Sequence, residues 1–133
     1  MFGTAVAIPP ALRTALLAIF GAACAEALDR TRIVQHSLYA RLHVGAVATT
    51  RRRRIYLRGS AADFFANPEL LLHEYCHVLT QWEPGALTLA GYALEWLRRG
   101  YWDNRFEIEA REFAQDHLLR LRALLSRAGD LRR

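Results

Sequence analysis

Residues 70–79 read LLLHEYCHVL: two histidines, His73 and His77, four residues apart, a glutamate, Glu74, directly after the first, and apolar residues on both sides. Four residues is close to one helical turn, so on a helix both imidazoles lie on one face and can offer nitrogens to the same ion. Glu74 points somewhat aside, where its carboxylate can reach a water held by that ion without ligating the ion, and act as general base. The plainer reading is an amphipathic helix with two ordinary histidines. That reading leaves a glutamate flanked by LLL and VL without a partner, and an unpaired buried carboxylate is costly.

Working outward, Asn67 is a good N-cap, Pro68 suits the first helical position and Glu69 sits in the first turn, where the helix dipole favours an acid. The helix therefore starts near Pro68, and Glu83, Pro84 and Gly85 stop it. Upstream, residues 31–57 hold short β-prone pieces, RTRIV, GAVATT and RIYL, broken at Gly45 and at the arginine run. They predict two or three strands of a small sheet, with residues 51–53 at a hairpin turn. Before them, Pro9 and Pro10 precede ALRTALLAIFGAACAEAL, where Leu12, Leu16, Ile19, Phe20, Ala23 and Leu28 recur at helical spacing and predict one deeply buried first helix. The apolar run within it resembles a signal peptide's hydrophobic region, but is too short to span a bilayer and reads better as a folded helix.

Downstream, residues 87–97 predict a third helix ending near Gly100. Asp103 or Asn104 can cap a fourth, long helix from about 106 to about 127, followed by a flexible tail. At 133 residues the chain predicts one domain spanning 1–133. It is 53% hydrophobic and 23% charged, as expected of a soluble globular protein. All the basic residues are arginines, and Arg51 to Arg54 are consecutive. Such a patch can attract nucleic acid or an anionic membrane. No nucleic-acid-binding signature accompanies it, so a solvated turn is the simpler account and no specific nucleic-acid partner is expected. Cys24 and Cys76 read as free buried thiols in a reducing compartment, which points to the cytoplasm.

A tetrahedral zinc site that keeps one position for water needs a third protein ligand. The segment DNRFEIEAREF offers Glu107, Glu109 and Glu112. At ~100° per residue, Phe106, Ala110, Phe113, Ala114, His117, Leu121, Leu124 and Ala128 gather on one side, which must face the core. Glu107 lies on the edge of that face, about 60° from its centre, Glu109 about 100° the other way, and Glu112 nearly opposite. Glu107 is the predicted third ligand, and Ala110 and Ala114 would let the two helices approach closely. Glu109 and Glu112 read as solvated acids.

HEYCH followed about thirty residues later by EIEAR resembles the gluzincin metallopeptidases, in which the glutamate of an ExxA helix completes HExxH. GAVATT, RIYL, LLLHEYCHVLTQW and NRFEIEA together are similar to the small zincin domain found with bacterial contractile injection systems, over roughly residues 30–115. The resemblance implies His73, His77 and Glu107 as zinc ligands and Glu74 as base. It implies a peptide or protein substrate that pairs with the RIYL strand as the sheet edge lining the cleft, and permits export by a specialised system. Two positions depart from the family pattern. Arg111 replaces an aspartate that in many relatives supports a ligating histidine, leaving that role to Asp116, Asn104 or a backbone carbonyl. Cys76 replaces a small hydroxyl residue.

The expected architecture is therefore an α+β minimal zincin-like fold: an N-terminal helix, a small sheet of two or three strands, the HExxH helix, and a long C-terminal helix that donates Glu107. The expected activity is zinc-dependent peptide hydrolysis. Tyr101 is the expected donor to the developing oxyanion, with Tyr92, Arg105 and His117 as other candidates. His117 reads equally as a core histidine, His36 and His43 are unassigned, and Trp82, Trp96 and Trp102 read as core and rim packing. The alternative is a zincin-like binding or assembly module with a structural zinc.

Overall fold

The computed structural model describes residues 3–41 and 47–131, so His43 and the start of the GAVATT stretch lie outside the described residues. The fold is α+β, with a four-stranded mixed sheet packed against helices and a long C-terminal helix. β1 (Thr4–Val6) precedes α1 (Pro10–Phe20) and α2 (Ala25–Arg30). β2 (Arg32–Gln35), α3 (Leu38–Arg41), β3 (Ala48–Arg51) and β4 (Arg54–Leu57) complete the sheet region. Then come α4 (Ala61–Phe65), α5 (Pro68–Cys76), a π-helical turn at His77–Trp82, α6 (Leu89–Arg99) and α7 (Arg105–Leu131).

The expected single first helix is two helices. Gly21, at φ 97°, ends α1 with its N–H donating to the Leu17 carbonyl, and a 3-10 turn at Ala22–Cys24 redirects the chain into α2. A left-handed glycine is the usual helix terminator, and here the apolar periodicity runs straight across it. Leu12 and Leu16 from α1 and Leu28 from α2 all enter the core.

The strand order is β1-β2-β4-β3, one strand more than the sequence predicts, because β1 is only three residues long. β1 runs antiparallel to β2, β2 parallel to β4, and β4 antiparallel to β3. The hairpin falls where expected, with Arg51 opposite Arg54 and Arg52 and Arg53 forming the turn. Arg53 takes φ 57°, a conformation uncommon outside glycine, and its guanidinium forks onto the Glu83 carboxylate at 2.6 and 3.0 Å.

RIYL is not the sheet edge that the family resemblance implies. β4 lies between β2 and β3, and the edge strands are β1 and β3. The physical reason is composition: Ile55, Tyr56 and Leu57 are all buried, so this strand needs cover on both faces and a neighbour on each side. ATTR is polar enough to end a sheet.

α5 begins as predicted, with the Asn67 side chain accepting from the Leu70 N–H and Pro68 in the first turn. Leu71, Leu72 and Tyr75 bury its inner face against α7, where Ala110 and Ala114 are nearly inaccessible. The predicted core face of α7 is the buried one, from Phe106 to Leu121, and the helix continues past the predicted end near 127 to Leu131, the last described residue. α4 was not anticipated; its N-cap, Ser60, accepts from the Asp63 N–H.

Candidate metal centre

α5 carries His73 and Glu74, the π-helical turn opens on His77, and the first turn of α7 brings Glu107 across to meet them. Glu107 Oε1 is 2.9 Å from His73 Nε2 and 3.1 Å from His77 Nε2, and the two Nε2 atoms are 3.2 Å apart. These three residues form a group whose ligand atoms all lie within 4.8 Å of one another, with geometry that could hold a metal. Ligands ~2.0–2.1 Å from a tetrahedral zinc stand about 3.3–3.4 Å apart, so a shift of a few tenths of an ångström would admit the ion. Glu109 and Glu112 are exposed and outside the group, as the helical period predicts.

Electrostatics fit a cation. Burial works to neutralise Glu107, but hydrogen bonds to His73 and His77, and their charges, hold its carboxyl well below the usual range. Burial also disfavours charge on His77. Against it, Glu107's hydrogen bond and charge, the charge of Glu74, and Gln81 lift the imidazolium to about 9. Two acids thus draw positive charge to this ring. Glu74 is 6% exposed and is raised by that burial, partly offset by His77 and His73. It sits close enough to feel both histidines yet is not in the ligand group.

The support for His77 is a residue that sequence reasoning missed. Gln81, fully buried, donates from Nε2 to the Phe106 carbonyl at 3.0 Å, so its Oε1 faces the imidazole and accepts from Nδ1–H at 2.6 Å. A partner on Nδ1 fixes the ring and leaves Nε2 for an ion. The signal was present, since Gln81 follows His77 at the spacing that separates His73 from His77. At His77, Gln81 takes the role expected of Asp116, Asn104 or a backbone carbonyl: Asp116 is exposed and Asn104 Oδ1 accepts from the Phe106 N–H. Arg111, at the position of the missing aspartate, lies over the Trp102 ring while donating to the Trp102 carbonyl.

Tyr92 donates to Glu107 Oε2 at 3.2 Å, so the carboxylate's second oxygen is also held. Tyr101 is half exposed; burial, then the charges of Glu107 and Glu74, raise its hydroxyl above the ordinary range, which places it beside both acids. Arg105 lies over the Phe106 ring and His117 packs tilted against the Phe113 ring, and neither belongs to the cluster. Cys76 is a free thiol pushed up to about 11 by burial, which leaves it unreactive at neutral pH. Cys24 is also free but only half buried. Trp82 is core, whereas Trp96 and Trp102 are 51% and 68% exposed.

No protein-family model, curated protein or solved structure matches the chain. No described helix is long and apolar enough to cross a membrane.

Proposed function

We propose that the chain is a zinc-dependent peptidase in which His73, His77 and Glu107 hold the metal and Glu74 is the general base. The observation that carries this reading is Glu107 Oε1 within 3.1 Å of both Nε2 atoms, with a buried glutamate beside the group and outside it. Two imidazoles and a carboxylate suit zinc and leave a coordination position open. Zinc, when bound, supplies a Lewis acid that acidifies water and polarises a carbonyl. Glu74 would take a proton from the attacking water and pass it to the departing amine nitrogen, a task helped by burial that favours its protonated form. Tyr101, half exposed at the site's rim, would donate to the developing oxyanion, while Tyr92 and Gln81 keep Glu107 and His77 in place.

Glu74→Gln keeps the side chain's size and removes its basicity. The variant is expected to bind one zinc per chain while losing at least 1,000-fold in cleavage of a diverse peptide library, a loss of about 4 kcal/mol in transition-state stabilisation. Cleavage at the wild-type rate would sink the mechanism. Leu94, Trp96, Leu97 and Trp102 expose large apolar side chains, and this favours the second reading, an assembly module with a structural zinc. A zinc-loaded wild type without Glu74-dependent cleavage would select that reading.

A further inference from the structure

At one end of the sheet Arg32, Arg54 and Arg51 are register partners across β2, β4 and β3. Partners share a face, so three guanidinium groups stem from adjacent strands spaced about 4.8 Å apart. Like charges set directly opposite one another weaken a sheet. Among the described residues none of the three meets a carboxylate: Arg51 bonds the Thr50 carbonyl and Tyr39 hydroxyl, and Arg54 reaches the Tyr56 hydroxyl at 3.4 Å.

With Arg30, Arg52 and Arg53 they line a groove of about 680 Å³. Glu83 pairs with Arg53, and Glu26 with Arg30, which leaves the groove strongly positive. Two of the groove's residues sit on elements that also carry residues of the candidate metal centre. Trp82 closes the π-helical turn that His77 opens. Leu89 lies one turn before Tyr92, the residue bonded to Glu107. Trp82 also donates to Thr50 Oγ1 at 3.2 Å, which ties the groove to the edge strand β3.

We infer that this groove recognises acidic side chains of the peptide substrate, at positions a few residues from the bond presented to the metal. The inference rests on the peptidase reading above and names the substrate's chemistry. A chain laid along the edge of β3 runs past Arg51 into the groove, and guanidinium groups take carboxylates two oxygens at a time. A peptide fits better than nucleic acid because Trp82 and Tyr56, the groove's aromatic residues, are each only 9% exposed. They present no open ring on which bases could stack.

Binding can be read without turnover. Zinc-loaded Glu74→Gln protein is titrated by fluorescence anisotropy, with an uncharged dye, against a Glu-rich decapeptide, its Gln counterpart, and a single-stranded oligonucleotide of equal charge. The Glu peptide is expected to bind at least tenfold tighter than the Gln peptide. Arg32→Gln with Arg54→Gln is expected to remove that advantage while zinc content stays at one per chain and Tm holds or rises, since repulsion is relieved. If the pair fails to fold, Arg30→Gln with Arg52→Gln, both at exposed side chains, is expected to lose at least threefold. Equal binding of both peptides, an unchanged preference in the folded variants, or tighter arginine-dependent binding of the oligonucleotide would overturn the inference. Glu74-dependent cleavage of a peptide library by the wild type separately tests the peptidase reading.

Discussion

Gln81→Leu should separate a metal-positioning role from a merely structural one. The change removes the acceptor of His77 Nδ1–H at 2.6 Å and the donor to the Phe106 carbonyl at 3.0 Å, at a side chain 1% exposed. An orphaned buried donor costs ~1–3 kcal/mol, so the metal-free protein should lose about 2 kcal/mol of stability. For a chain of this length that corresponds to a Tm lower by about 7 °C. Loss of the partner behind a ligating imidazole weakens metal binding by about 10–100-fold. Zinc affinity would be measured by competition with a chromophoric chelator and stability by calorimetry of the stripped protein. Gln81→Glu supplies the control. Its carboxylate still accepts from Nδ1–H but cannot donate to Phe106, and it stands near Glu109 Oε1, which Gln81 Nε2 contacts at 3.3 Å. That variant should therefore lose stability while keeping zinc affinity within a few-fold of wild type. Wild-type zinc affinity in Gln81→Leu, or equal loss in both variants, would refute the argument.

Ala110→Leu overfills the α5–α7 contact one turn beyond Glu107; calorimetry should show ~1–3 kcal/mol of destabilisation, and elemental analysis less than one zinc per chain. Asn67→Ala removes the α5 cap and should cost ~1 kcal/mol, or a Tm lower by about 4 °C, with zinc affinity unchanged, whereas Asn67→Asp should match wild type. Hydrogen bonding to Arg53 holds Glu83 below its ordinary 4.5, so the pair stabilises the fold above that value and loses its effect as pH falls through the lowered one. Glu83→Gln should accordingly lower Tm at pH 7, with the difference from wild type closing as acid is added.

The candidate metal centre is legible because its signals are local and periodic. His73 and His77 share a face by spacing alone, and the α7 stripe puts Glu107 at its edge while turning Glu112 away. Elements too short to carry a period were not legible: β1 has three residues and α4 has five. Gly21 was hidden by apolar residues that continue helical spacing through the break. The edge position went to β3 because strand order depends on which strand can be buried on both faces, which no spacing rule reports. Gln81 was overlooked because glutamine carries no metal or acid–base signature by itself, and its role comes from what lies on either side of it.

The π-helical turn links His77 to the sheet through the backbone. Its i→i+5 bond from the Glu83 N–H to the Val78 carbonyl records a wider winding than the α-helix before it. Each such residue advances less than the ~100° of an α-helix, so by Gln81 the side chains lag by roughly 50° behind α-helical positions. Rewinding this segment would swing Gln81 off His77 and Trp82 off Thr50 together. The rotational setting of these six residues therefore holds two contacts at once, Gln81 on His77 and Trp82 on Thr50 of β3.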